Sequence, residues 1–407
     1  MCRIVVNFDA MEPQVFYLPK HRLGPLIGLG VHATFTCEES FNISDFQAFI
    51  EAQQGQYIFG TISYDYKNML EVLASNNPDE CSYPLLNFWV PKSVYILEET
   101  PRHLAGENES NDQEEAQRFL KKLQDPTVSF QADFKERTTK DAYFEQFNKI
   151  KNALQQGDIY ELNYCQEFYA QQVAIEQPVP LFSKLEQLTQ APHAAYIQTP
   201  NHFVLCASPE RFLEKKGDLL RSEPIKGTAP RHPDALTDKA LATKLKNDPK
   251  ERAENIMIVD LVRNDLSQLA QKDTVNVDEL CEIYSFATVH QMISKISCVL
   301  KPNTSLTDIL KYTFPMGSMT GAPKISAMQH IEALEDFKRG LYSGSIGLIE
   351  PNGDFDFNVV IRSLIYNRNT KYLSCAVGSA VTIEAEAEKE YQECLLKANK
   401  LIYGLQS

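Results

Sequence analysis

The 407-residue sequence is short of the features that would place it in several large functional classes. Positive charge is in deficit: 40 Lys and Arg stand against 54 Asp and Glu, a formal balance of -14. A surface for nucleic acid or an anionic membrane needs clustered cations to neutralise phosphates, so neither partner is expected. The nine cysteines are an odd number and none is spaced as CxxC. That argues against a structural zinc site and against a disulfide framework, and it fits a reducing compartment. No apolar run approaches the ~20 residues of a membrane span, and MCRIVVNFDA lacks the apolar stretch of a signal peptide. The expected compartment is the cytoplasm. Also missing are a Gly-Lys-Ser/Thr at nucleotide-loop spacing, a Gly-x-Cys-x-Gly setting for a nucleophilic thiol, and any internal repeat.

What is present is an ordinary apolar content, 43%, enough for a substantial core in two domains or one compound one. From Cys2 to about Glu99, runs such as IVVNF, QVFYL, ATFTC and YIFGTISYDY alternate with Gly, Pro and polar turns. They predict antiparallel sheet with one helix near Phe46 to Ala52. The charged stretch ENESNDQEEAQ, with Phe119, Leu120 and Leu123 to anchor a short helix, reads as a surface connection. It divides a mostly β amino-terminal lobe, residues 1–125, from a second domain, residues 138–405. Thr138 and Asp141 predict a helix start, and Phe144, Phe147, Ile150 and Leu154 recur at helical spacing until Gly157. Strands are expected at IYELNYCQEFYA, HFVLCAS, GSIGLIE, FNVVIRSLIYN and YLSCAVGSAVTI, and helices over Lys250–Asp265, Ala322–Glu335 and Glu388–Tyr403. Without a steady βαβ rhythm, the fold class is α+β with antiparallel sheets.

Several stretches carry candidate chemistry. In SEPIKGTAPR, Pro224 and Ile225 precede Lys226 and Gly227 follows, predicting an extended segment that enters a tight turn. Lysine becomes a nucleophile when burial or a nearby positive charge lowers its pKa from about 10.4; otherwise it is a solvated loop residue. Glu251 and Glu254, like Glu390 and Glu393, sit three apart on helices. Two such helices facing one cleft would offer oxygen ligands suited to Mg²⁺, although solvated helix faces often carry the same spacing. Lys397, four residues after Glu393, is also an ordinary ion-pair partner for it. FPMGSMTGAPKISAM places Gly317, Ser318, Thr320 and Gly321 before a helix opening near Pro323, which makes an anion site or a simple Thr320 cap. Arg362, within an apolar strand pattern, needs a carboxylate of the protein or of a ligand. Glu210, at a strand end, suits proton transfer or a turn, and His290 suits positioning or a satisfied core site.

Taken in order from Gly157 to Ala398, GDIYELN, SPERF, PIKGTAPR, KERAENIMIVDLVRND, FPMGSMTGAPK, SGSIG, VVIRS and EKEYQECLLKA resemble the chorismate-utilising enzymes. Members of that family include anthranilate, aminodeoxychorismate, isochorismate and salicylate synthases. FGTISYDYKN resembles the family's amino-terminal lobe. The resemblance implies antiparallel β-sheets packed as a sandwich with helices on the outside, and residues 138–405 as the chorismate-binding catalytic domain. It also implies a division at Lys226, where anthranilate synthases carry alanine and aminodeoxychorismate synthases lysine. On that basis Lys226 attacks C2 of chorismate and the C4 hydroxyl leaves with Mg²⁺ assistance. Ammonia then adds at C4 and expels the lysine, giving 4-amino-4-deoxychorismate, a precursor of p-aminobenzoate and folate.

By the same resemblance, Glu254 and Glu393 are direct Mg²⁺ ligands, and Glu251 and Glu390 act through water. Arg362 holds the enolpyruvyl carboxylate. Lys397 with the backbone of Gly378, Ser379 and Ala380 holds the ring carboxylate, and Gly227 and Thr228 join the substrate-binding group. Glu210 is the general acid or base, and His290 positions substrate beside it. Four positions depart from the family pattern: Leu348 for tyrosine, Phe357 for threonine, Ala380 for a second glycine, and Glu161 for glutamine. Water-using relatives carry lysine where Glu161 stands. No LxS-type tryptophan signature is present near the amino terminus. With no glutaminase nucleophile and no pyridoxal-type lyase region, the expected partner is a separate glutamine amidotransferase subunit, and another enzyme would make p-aminobenzoate. The alternatives are an anthranilate synthase component, or a non-catalytic paralogue that binds chorismate or an amidotransferase.

Overall fold

Alternation along the central strands decides how the molecule is layered. In His193–Gln198, Ala195 and Ile197 enter one apolar cluster while Ala194 and Tyr196 enter another. In His202–Ser208, Val204 and Cys206 go with the first and Phe203, Leu205 and Ala207 with the second. A period of two with both faces apolar requires cover on both sides. One cover is a second sheet, whose Phe35, Phe59, Phe88 and Leu213 share the first cluster. The other is a layer of helices, Ser110–Gln124, Pro178–Thr189 and Ala387–Gln406, which contribute Phe119, Leu181, Leu185, Leu401 and Leu405 to the second cluster. The result is the expected α+β fold with antiparallel sheets.

The computed structural model describes residues 3–6 and 14–406. Among the described residues each sheet has eleven strands. One runs from Arg3–Val6 through Ala33–Cys37, Leu86–Val90, Ile58–Ile62, Ser345–Ile349, Phe355–Asn358, Arg211–Lys216, Leu219–Glu223 and Val289–Val299 to Ile225–Pro230, with Asn276–Ser285 also on Val289–Val299. The other runs from Gly321–Ala322 through Glu161–Ala170, Tyr372–Val381, Ser363–Asn367, His202–Ser208, His193–Gln198, Val15–Leu18, Leu26–Leu29 and Ser93–Ile96 to Arg102–Gly106, with Lys135–Glu136 also on Glu161–Ala170. Strands from either side of the expected 125/138 boundary pair within both sheets: Ile58–Ile62 with Ser345–Ile349, and Val15–Leu18 with His193–Gln198. No helix among the described residues is long and apolar enough to cross a membrane.

Most elements lie where the patterns put them, and the differences have local causes. Thr139, not Thr138, caps the helix Lys140–Gln156 by accepting from the Ala142 amide, because the Thr138 hydroxyl is spent on Asp336. Gly157 closes that helix at φ +82°, a conformation glycine adopts without a Cβ penalty. FNVVIRSLIYN is not one strand. Phe355–Asn358 belongs to one sheet and Ser363–Asn367 to the other, so residues 359–362 are the crossover and Arg362 sits in it at φ +53°. The late glycine-rich segment starts its helix only at Lys324, with Pro323 as the cap, since Gly321 and Ala322 pair as strand with Leu162 and Glu161. Thr320 does not cap; its hydroxyl donates back to the Met316 carbonyl. The helices Pro178–Thr189, Ala235–Lys246 and Leu306–Thr313 were not foreseen. Of IVVNF, Asn7 and Phe8 lie outside the described residues. Cys37 is disulfide-bonded, against the expectation, whereas the seven other described cysteines are free.

Candidate active site

The site forms where an edge strand of one sheet and the end of a strand of the other meet the amino-terminal turns of two helices. Ile225–Pro230 is an edge strand, and Glu161 opens the strand Glu161–Ala170 of the other sheet. Lys226 therefore lies in a strand rather than a turn. The register shifts between Ile225 and Thr228, so Gly227 at φ +88° is the bulge that re-aims its neighbour. A Cβ on Gly227 would lie 3.0 Å from a Glu251 oxygen and 3.2 Å from Leu245, and at this φ any other side chain would be strained as well.

Lys226 is 10% exposed and its Nζ donates to Glu161 Oε1 at 2.5 Å. Burial pulls the ammonium down, but Glu161 and then Glu254 outweigh it, and its pKa stands above the ordinary lysine value. Burial or a nearby positive charge would lower it, whereas the carboxylate at position 161 acts the other way. Glu210 is buried, and Ser318 donates to its Oε1 at 2.7 Å. Burial pushes its carboxyl up to about 7, with the Ser318 bond and the Lys226 charge acting the other way.

Both carboxylate pairs face this place. Glu251 and Glu254 lie in the first turns of Pro249–Leu269, which Asp248 caps through the Lys250 and Glu251 amides. Glu390 and Glu393 lie in the first turns of Ala387–Gln406. The helix dipoles thus present their positive ends where anionic oxygens gather. The crowded carboxylates shift one another. Burial raises the Glu251 carboxyl, with Glu393 adding to it, and burial with repulsion from Glu393 raises Glu390. Burial and the Glu161 charge take Glu254 up to about 7, against the pull of Lys226. Glu393 is lower than usual: burial acts upward, but Lys397, bonded to it at 2.5 Å, prevails. The sequence reading missed Lys250. Its Nζ donates to Glu390 at 3.1 Å and stands 3.7 Å from Glu254, and its i,i+4 spacing to Glu254 was the available signal.

The donor set can be tested for a metal. Glu254 Oε1 is buried without a hydrogen-bond partner, and Glu251, Glu390 and Glu393 close by offer further carboxylate oxygens. Such a set fits a hard divalent cation held by one or two carboxylates, with water and substrate oxygens completing its shell. Among the described residues no group of three or more Asp, Glu, His or Cys side chains is placed to hold a metal ion. The lysines Lys250 and Lys397 carry the countercharge instead.

The remaining residues divide. Lys397 Nζ donates to the Gly378 carbonyl at 2.8 Å, which ties the late helix to Tyr372–Val381. A Cβ on Gly378 would strike Cys165 Sγ at 2.6 Å. The Ser379 hydroxyl is turned to Tyr143 at 3.2 Å, so only its backbone and that of Ala380 remain for a ligand on this side. Among the described residues the Arg362 guanidinium has no hydrogen-bond or ion-pair partner. Thr228 is exposed on the edge strand. His290 is buried with Nδ1 bonded to Ser285 at 2.8 Å and Nε2 to Asp238 at 3.0 Å, so neither nitrogen is free for the expected positioning role as placed. Leu348 and Phe357 pack in the apolar core.

A sequence family described as chorismate binding enzyme matches residues 16–403. The chain belongs to that family. Among its relatives, the aminodeoxychorismate synthase component 1 of Escherichia coli is 36% identical over 275 residues, covering 68% of this chain and 60% of that protein. The chain thus matches about 60% of that relative's length. The Bacillus subtilis protein of the same name is 33% identical over 358 residues, 83% of this chain and 74% of the relative. The crystal structure of anthranilate synthase component I from Streptococcus pneumoniae superposes with a TM-score of 0.75 at 24% identity, covering 98% of this chain and 94% of that one. That likeness shows the fold of the chorismate binding enzymes in this chain.

Proposed function

We propose that this chain is the large component of an aminodeoxychorismate synthase, which aminates chorismate to 4-amino-4-deoxychorismate in the cytoplasm. It would use Mg²⁺ and ammonia from a separate glutamine amidotransferase subunit. The observation that carries the reading is Lys226, a buried lysine in PIKGTAPR flanked by Glu161, Glu210 and Glu254. Two relatives named for this activity support it.

In this reading the residues divide the work. Glu254 and Glu393 would hold the metal, with Glu251 and Glu390 behind them, and the bound cation would supply charge neutralisation for the ring carboxylate and the departing hydroxyl. Arg362 pairs with the enolpyruvyl carboxylate, and Lys397 with the backbone at Gly378 to Ala380 orients the other. Lys226 Nζ bonds to C2 as the C4 hydroxyl leaves, and Glu210, whose carboxyl titrates near 7, gives that oxygen its proton. Ammonia bonds to C4 and the lysine departs, so two displacements replace one substitution.

The test is product analysis. Purified chain with chorismate, Mg²⁺ and ammonium should give 4-amino-4-deoxychorismate, and Lys226→Ala should abolish or divert it. Anthranilate with released pyruvate would instead assign the chain to the other amination.

A further inference from the structure

Lys226 Nζ donates to a carboxylate at 2.5 Å, and an ammonium cannot attack carbon. Something must take its proton where it lies. Three carboxylates face it from three elements: Glu161 on Glu161–Ala170, Glu210 just beyond His202–Ser208, and Glu254 on Pro249–Leu269. Only Glu161 is at hydrogen-bond distance, 2.5 Å, and its side chain is 1% exposed. Its second oxygen is buried without a partner, so no donor from the protein competes for the incoming charge. Glu210 is already engaged with Ser318. An amide at position 161 would accept the same hydrogen bond but could not take the proton.

We propose that Glu161 is the proton acceptor for Lys226, a step that rests on the reading of Lys226 as the nucleophile. Glu161 takes one proton from the ammonium, leaving a neutral amine and a carboxylic acid. The nitrogen lone pair forms the bond to C2, and the C4 carbon–oxygen bond breaks with its electrons on the hydroxyl, which leaves as water with a proton from Glu210. When ammonia bonds to C4, the lysine nitrogen departs with its bonding pair and recovers its proton from Glu161. The incoming ammonium returns one proton to Glu210. Chorismate and ammonia become 4-amino-4-deoxychorismate and water, and both glutamates end as they began.

The experiment is single-turnover mass spectrometry of the chain with chorismate and Mg²⁺ but no ammonium. It follows the adduct on the peptide containing Lys226 between pH 6 and 9. The native chain should form it at a rate that falls only as Glu210 loses its proton above about pH 7. Glu161→Gln should form it on the order of 10² to 10⁴ times more slowly, and the ratio of its rate to the native rate should rise about tenfold per pH unit because the proton must go to solvent. Glu161→Asp should recover part of the rate and the native profile. An adduct in the native chain with an unchanged rate and profile in Glu161→Gln overturns this proposal alone. No adduct in the native chain overturns the nucleophile as well. Should Glu161→Gln fail to fold by circular dichroism, Glu161→Asp decides: a slower rate with the native profile supports the assignment, and an undiminished rate across the longer gap overturns it.

Discussion

Lys250 reaches from the helix Pro249–Leu269 to Glu390 on the helix Ala387–Gln406, holding at 3.1 Å a place among the carboxylates. A divalent cation bound by Glu254 would compete with this ammonium for the same negative charge. Lys250→Met should therefore lower the melting temperature in chelator, because four crowded glutamates lose a counterion. Added Mg²⁺ should then raise it by more than in the native chain, with affinity tighter by about tenfold or more. Calorimetric titration reads this directly. Equal or weaker Mg²⁺ binding in the variant would mean that the lysine and the metal do not share a site.

Glu210 gives a pH-dependent stability of known sign. Burial lifts its carboxyl from 4.5 to about 7 in the folded chain, so the folded state holds the proton more tightly than the unfolded state does. That contribution is fully present below 4.5 and is lost as pH rises through about 7, amounting to something on the order of 3 kcal/mol. Glu210→Gln cannot titrate. The gap between native and variant denaturation midpoints should move in the variant's favour from pH 4.5 to 7.5. Glu254 shares the window but is present in both chains, so parallel curves would count against a buried, protonated Glu210.

How much of this was legible in the sequence depends on the range of the signal. Glu251 with Glu254, and Glu390 with Glu393, were readable because helical spacing alone puts each pair on one face, and both helices formed. That the two faces meet is a tertiary fact no period encodes. Lys226 was singled out by its Pro and Gly neighbours, but they predicted a turn, whereas Val289–Val299 holds the segment as a bulged strand. Its surroundings were not legible because Glu161, 65 positions earlier, completes them. Arg362 failed differently. Apolar residues on both sides mimic one strand, yet each half is buried in its own sheet and the arginine marks the crossing. His290 had no local sign of Asp238, its partner from another element.

Among the described residues the Arg362 guanidinium has no protein partner, so its removal should act on substrate binding. Arg362→Lys keeps the charge but not the planar pair of donors that matches a carboxylate. The KM for chorismate should rise roughly 10- to 100-fold, the loss of about 1.5 to 3 kcal/mol expected for a hydrogen bond to a charged group. The KM for ammonium and kcat should change far less. A fall in kcat with an unmoved KM for chorismate would show that the guanidinium does not hold the bound substrate.

Gly347 and Phe357 lie opposite each other in neighbouring strands, and a Cβ on Gly347 would fall 2.3 Å from the Phe357 ring and 2.5 Å from the Asp356 carbonyl. The ring occupies the space the glycine leaves, which accounts for phenylalanine at a position where the family pattern has threonine. Gly347→Ala should cost about 1 to 3 kcal/mol by overpacking, and Phe357→Ala about 3 to 5 kcal/mol by opening a cavity. Together they should cost less than the sum, by roughly 1 kcal/mol, because the added methyl enters the vacated ring space. The recovery is partial, since the Asp356 carbonyl belongs to the backbone and does not move with the ring. Urea denaturation of the two single variants and the double variant measures the coupling. Strict additivity would mean that the ring turns aside at no cost and that Gly347 is constrained by the neighbouring backbone alone.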